Sequence, residues 1–183
     1  FLNPKYKSFA TGGDPSRPVF AVEGIVSESI KEPRIRARKK FLSDIDTFSQ
    51  NMKNDEITEK LEYCQEQAYS VILGSEGKVF SLSEEKKELR EKYGMGRFGQ
   101  SCLLARRLTE KGVAFITINH PGWDTHKDHF QEMNKKLPEL DKGLAALLQD
   151  LSDRDLLDST IVWVTGEFGR SPKIATDAPW NGG

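Results

Sequence analysis

Cysteine is scarce here: Cys64 and Cys102 are the only two among 183 residues, and they stand far apart with no CxxC pair. That rules out a disulfide framework and a thiolate metal or redox centre, and leaves both residues as small apolar fillers. Nowhere does the chain approach the roughly 18 consecutive apolar residues that a membrane helix needs, so no membrane span is expected. Neither sign of charge is in excess, with 27 Lys and Arg against 28 Asp and Glu and a formal net charge of -1. Such a balance gives no general field for phosphate backbones or anionic lipid, and no nucleic-acid partner is expected. Internal repeats and low-complexity tracts are also missing.

What remains is an ordinary globular composition, 37% hydrophobic and 30% charged, which excludes global disorder. The length suits one domain or a large part of one. The chain starts at Phe1 without Met and stops at Asn181-Gly182-Gly183, shortly after a motif, and is read as an excerpt of a longer protein. Residues 1–32 carry the turn punctuation Gly12-Gly13-Asp14-Pro15 and a short apolar run at Val19-Phe20-Ala21-Val22, which predict a loop and one short strand. Residues 33–111 are expected to be helical. Ile35, Phe41, Leu42, Ile45 and Phe48 recur at helical spacing, and Ile57, Leu61, Cys64 and Ala68 mark a second helix. Ser81 followed by Glu84 forms a capping box for a third, which Tyr93-Gly94 stops, and a fourth runs from about Phe98 to Lys111.

Residues 112–183 change texture. Val113-Ala114-Phe115-Ile116-Thr117-Ile118 and Ile161-Val162-Trp163-Val164-Thr165 are charge-free and rich in β-branched residues, as strands buried on both faces are. Between them Leu137, Leu140, Leu144, Leu147, Leu148 and Leu151 make a helical stripe. Strand, helix, strand predicts a βαβ unit whose parallel strands end on one sheet edge, where α/β proteins place ligands.

Two loops leave that edge. Asn119 to His129 holds all three histidines, and Asp124 and His126, two apart, pair a carboxylate with an imidazole, donors that suit Zn²⁺ and similar ions. Gly166 to Lys173 offers Glu167 as a further ligand, Arg170 as a planar fork for phosphate or sulfate oxygens, and Lys173 as a point charge. Taken singly each loop also reads as ordinary polar residues in a surface turn; their convergence on one sheet edge points to a site. Three other patterns have plainer readings. Gly94 to Gly99 spells GxGxxG but follows a charged helix rather than a strand, so its glycines are expected to cap helices. Asp124 to His129 resembles the metallo-β-lactamase signature with Asp in place of the first His, a reading that demands further histidines, and none follows His129. Asp128 and His129 are instead expected at a helix start. Arg34, Arg36, Arg38, Lys39 and Lys40 are expected to form a solvated helix face over a buried side of Ile35, Phe41 and Leu42.

Leu140-Asp141 through Leu147-Leu148 to Ile161-Val162 resembles the segment of the sulfatase and alkaline phosphatase superfamily in which a helix leads into a buried strand. Arg97 to Leu108, Gly122-Trp123-Asp124-Thr125-His126 and Gly166 to Ile174 together resemble the bacterial family called domain of unknown function 1501. The resemblance implies an α/β fold: a three-layer α/β/α sandwich with a mainly parallel sheet, alkaline phosphatase-like, incomplete in this chain and with a helical segment inserted. It implies that residues 1–183 are part of one such domain. It further implies a metal-dependent hydrolase of phosphate or sulfate esters, acting on a small-molecule or polysaccharide anionic ester and exported in full length. Its divalent metal would be Zn, or a set drawn from Ca, Mn and Mg, bound by Asp124, His126 and Glu167, with Arg170 and Lys173 as catalytic cations. Phe168 stands where the superfamily has a His ligand, and the nucleophile and further ligands would lie outside residues 1–183. A non-catalytic binding or scaffold protein that keeps the fold is the alternative.

Overall fold

The computed structural model describes residues 8–17, 20, 22, 32–49, 69, 75–169 and 171–173. Four α-helices form among them: α1 (Glu32–Ser49), α2 (Lys87–Tyr93), α3 (Arg97–Glu110) and α4 (His129–Asp153), with 3-10 turns at Ser75–Phe80, Leu82–Glu84 and Leu157–Ser159. The chain divides into two compact units, Phe1–Leu82 and Ser83–Gly183.

In the first unit the punctuation at Asp14-Pro15 forms the expected turn. The Asp14 carboxylate accepts hydrogen bonds from the Ser16 amide at 3.0 Å and hydroxyl at 2.6 Å, and the Arg17 amide reaches the Asp14 carbonyl at 3.2 Å. Helix α1 begins where the periodicity predicts, and Glu32 in its first turn pairs with Arg36 one turn on. Its basic residues Arg34, Arg36 and Arg38 are exposed, as a solvated face requires, but Phe41, Leu42 and Ile45 are exposed too, so the expected buried side is not covered. The expected helix at Ile57–Ala68 lies outside the described residues. So do Val19 and Ala21 of the expected first strand; Phe20 and Val22 belong to no strand.

The second unit is three helices around one small core. Helix α2 ends at Gly94, whose φ of 88° lies in the left-handed region open to glycine, and Gly96 precedes α3. Gly94 and Gly96 of the GxGxxG lettering therefore do cap helices, whereas Gly99 lies inside α3. Gln100, fully buried, replaces the missing helical partners of α2: its amide donates to the carbonyls of Arg90 at 3.0 Å and Gly94 at 2.9 Å. Helices α3 and α4 cross where side chains vanish. A Cβ on Gly143 would come within 2.9 Å of the Phe98 ring and 3.3 Å of the Gly99 Cα, while one on Gly99 would come within 2.1 Å of the Tyr93 carbonyl at the end of α2. Cys102, Leu103, Leu147 and Leu151 fill the contact, each large aliphatic contributing about 1.5–3 kcal/mol by leaving water. Burial raises the Cys102 thiol, aided by the nearby Glu139 charge, to about 12, so it is an inert filler as expected. The leucine stripe is only partly buried, with Leu137 and Leu148 exposed.

A charge sits inside this core. The Arg106 side chain is 2% exposed and meets three carboxylates: Glu85 at 2.7 Å, Glu110 at 2.5 Å and Asp150 at 2.9 Å, the last off the direction of its N–H. Arg154 spans the same Asp150 at 2.8 Å and Glu110 at 2.5 Å, Arg107 adds Glu85 at 2.7 Å, and the buried Tyr93 hydroxyl donates to Asp150 at 2.9 Å. The network also explains why the third helix starts late. Ser81 and Glu84 were expected to cap it, but Glu84 and Glu85 turn toward Arg107 and Arg106, so the first turn is 3-10 and the α-helix waits until Lys87.

The expectation of an α/β/α sandwich with a parallel sheet is wrong for the described residues, which are helical and contain no strand. Residues 113–118 and 161–165 flank α4 along the chain, and Thr160 is extended, but neither run forms a ladder. Phe115 is 87% exposed, Ile161 95% and Trp163 82%. Composition sets a preference for extended backbone, whereas a strand exists only where a second backbone supplies hydrogen bonds.

Replacing Arg106 with Met is expected to destabilise the protein by about 3–5 kcal/mol, read from denaturant unfolding, because three carboxylates then lose their buried counterion. The network also sets an acid limit. Burial alone would raise Glu85 and Asp150, but Arg107 and Arg106 around the first, and Arg154, Tyr93 and Arg106 around the second, outweigh it and hold both carboxyls below their usual range. Their stabilisation is complete above the ordinary carboxylate value of about 4 and is lost as pH falls through the depressed folded values. Acid titration of helicity should show a transition below about pH 4 in the wild type. It should move to higher pH in Arg107→Ala.

Candidate functional site

The histidine-rich loop joins α3 to α4 and is held down at defined points. Gly112 turns the chain out of α3, and the Val113 amide returns to the Leu108 carbonyl at 3.1 Å. Further on, the His120 ring stacks on Phe98 of α3, centroids 4.4 Å apart and planes within 20°, while Trp123 meets it edge-on at 5.3 Å. From α4, Glu139 Oε2 lies 3.8 Å from His120 Nε2, and Lys136 donates to the Pro121 carbonyl at 3.0 Å with its ammonium 5.9 Å above the Trp123 ring. Glu139 also accepts from the Phe98 amide at 3.3 Å, near the start of α3.

From Trp123 the side chains alternate. Trp123 faces the helices, Thr125 is buried, and Asp124 and His126 between and after them stay exposed. The predicted pair lies together on the exposed side, with His126 Nε2 3.2 Å from Asp124 Oδ2. Thr125 is the anchor beneath them: its amide bonds the Trp123 carbonyl at 3.0 Å, and its Oγ1 lies 2.7 Å from Nδ1 of His129, the first residue of α4. Asp128, at φ 50°, makes the left-handed step into that helix, so Asp128 and His129 stand at a helix start as expected.

The second predicted loop is built differently. Glu167 and Phe168 lie exposed in a bend that follows the ladder-free run 160–165, with the Thr165 hydroxyl donating to the Gly166 carbonyl at 2.9 Å. Lys173 is exposed, its amide 3.2 Å from Ser171 Oγ, and Arg170 lies outside the described residues. Asp124 and His126 are thus brought together. Among the described residues no three His, Cys, Asp or Glu side chains gather in one place, so Glu167 does not join that pair. Sequence reasoning overlooked the clamp made by Phe98, His120, Trp123, Lys136 and Glu139. Its members come from three elements as much as 41 residues apart, and no local pattern marks them.

A family model described as protein of unknown function, DUF1501, matches residues 1–182, essentially the whole chain. The chain belongs to the DUF1501 family. No curated protein and no solved structure matches it. Within the DUF1501 chain the Gly122-Trp123-Asp124-Thr125-His126 motif thus acquires a structural rationale: Trp123 and Thr125 are the inward, fixing residues, and Asp124 and His126 the outward, displayed ones. No helix among the described residues is long and apolar enough to cross a membrane.

Thr125→Val keeps the buried volume and deletes the hydroxyl. It should cost about 1 kcal/mol, seen as faster amide exchange at the start of α4 with little change in the Arg106 core.

Proposed function

We propose that the full-length protein is an exported, metal-dependent hydrolase of phosphate or sulfate esters, and that this chain contributes part of its divalent-ion site. One observation carries the reading: a carboxylate and an imidazole on the same exposed side of an anchored loop, 3.2 Å apart. In kind these donors fit zinc, and the carboxylate also fits Mn, Mg or Ca. In number the described residues supply two, and Glu167 is assigned as the third ligand in the bound state. The resemblance of these motifs to metal-binding positions of the sulfatase and alkaline phosphatase superfamily supports the same assignment.

A bound divalent ion supplies Lewis acidity, polarising the ester and making a neighbouring hydroxyl or water more nucleophilic. The chain's own residues orient and neutralise. Asp124 and His126, fixed from below by Thr125, hold their donor atoms ready at little ordering cost. Arg170 and Lys173 face the anionic group of the ester in this assignment, Arg170 by paired N–H donors and Lys173 as a compact charge. The anionic substrate class follows from those two cations on a chain with no net positive charge.

A second reading, a binding or scaffold protein, is favoured by Phe168, an exposed ring that cannot ligate in the position next to Glu167. One set of measurements separates the two. Zinc titration calorimetry on the wild type, Asp124→Ala, His126→Ala and Glu167→Ala should show affinity at least about tenfold lower in each variant. The full-length protein should turn over aryl phosphate or aryl sulfate esters. Equal zinc affinity in all four proteins refutes the site, and zinc bound by Asp124 and His126 without turnover of either ester points to the scaffold.

A further inference from the structure

His120 is enclosed in an unusual way for a loop histidine. From α3 it meets the face of Phe98, from its own loop the edge of Trp123, and from α4 the Glu139 carboxylate at 3.8 Å together with the charge of Lys136. Only 16% of the side chain is exposed. Its two nitrogens differ. Nε2 points toward Glu139, while Nδ1 is buried with no hydrogen-bond partner. A neutral ring keeps its hydrogen on Nε2, facing the carboxylate, and leaves a bare lone pair at Nδ1. A second proton has to go onto Nδ1, the one nitrogen with no acceptor, and a buried N–H without an acceptor is costly.

We propose that His120 is a proton-operated clasp: while neutral it docks the Asn119–Asp128 loop onto α3 and α4, and on protonation it releases that loop. Burial lowers the imidazole below its ordinary value, Lys136 adds to this, and Glu139 opposes it without reversing the direction. The docked ring is therefore harder to protonate than the released one. Docking is at full strength above the ordinary histidine value of about 6.5 and weakens, by at most tenfold per pH unit, as pH falls toward the lower docked value. Released, the loop no longer holds Asp124 and His126 in one arrangement. That consequence rests on the metal-site reading above, whereas the clasp itself does not.

The test needs no metal and is run with a chelator present. Hydrogen exchange of the amides from residue 119 to 128, corrected for the intrinsic pH dependence of exchange, is measured between about pH 7.5 and about pH 5.5, values that bracket ordinary histidine. The opening constant should rise in the wild type on acidification, by no more than about tenfold per pH unit. It should stay flat in His120→Phe, whose ring keeps the stack on Phe98 but takes no proton. In Glu139→Gln, which retains the acceptor for the Phe98 amide and removes the charge favouring protonation, the rise should be steeper. An equal rise in His120→Phe overturns the clasp, because His126 and His129 would then account for it. So does an NMR titration of the wild-type His120 ring at or above the ordinary value, which decides the matter even if His120→Phe fails to fold. Equal zinc affinity in the wild type and the Asp124, His126 and Glu167 variants, with the clasp intact, would instead refute the metal site alone.

Discussion

A single buried guanidinium organises the second unit. Arg106 lies almost wholly out of water, and only Glu85, Glu110 and Asp150 together make that tolerable. Those carboxylates come from the turn before α2, from α3 itself and from α4, so the charge is satisfied in one mutual register of the helices. An apolar side chain of similar size would tolerate a small slide of α4 along α3. A charge with a large desolvation cost does not, since each ångström of slip separates it from a counterion. The close approach at Gly99 and Gly143 works in the same direction, because bulk at either position would collide with neighbouring backbone or ring.

The candidate site inherits this rigidity. Helices α3 and α4 present Phe98, Lys136 and Glu139 to one stretch of the intervening loop, and His120 and Trp123 settle on them. Thr125 then pins the loop to the first residue of α4. Since alternate residues are held inward, the residues between them are displayed outward, and these are the carboxylate and the imidazole. The route from core to chemistry is thus short: register of two helices, seating of one loop, exposure of two donors. Glu167 has no comparable support in the described residues, because the run before it lacks backbone partners and exposes its large side chains.

Local signals in the sequence proved reliable where the cause was local. Apolar periodicity located α1, α3 and the later part of α4, glycines at 94 and 96 bounded helices, and Asp128 with His129 opened one. The spacing of Asp124 and His126 was consistent with both reaching one point, and a tight turn closed by the Thr125 amide on the Trp123 carbonyl lies between them. Where a reading needed a distant partner it failed or fell short. Ser81 and Glu84 have the letters of a capping box, but arginines more than 20 residues away compete for the carboxylates and win, because a charge-assisted pair in a half-buried place outweighs a cap to a neutral amide. The apolar runs at 113–118 and 160–165 have the composition of buried strands and no strand to pair with among the described residues.

By itself the sequence determined helix positions, the punctuation between them and membership of a family through three ordered motifs. These depend on backbone preference and on neighbours within a few residues. Tertiary structure alone decided that Arg106 is interior, that His120 is clasped between an aromatic face and a carboxylate, and that no sheet forms in the described residues. Each of these is a matter of which distant group arrives within hydrogen-bonding or van der Waals reach. That depends on how helices pack, and nothing in a residue's immediate neighbours encodes it.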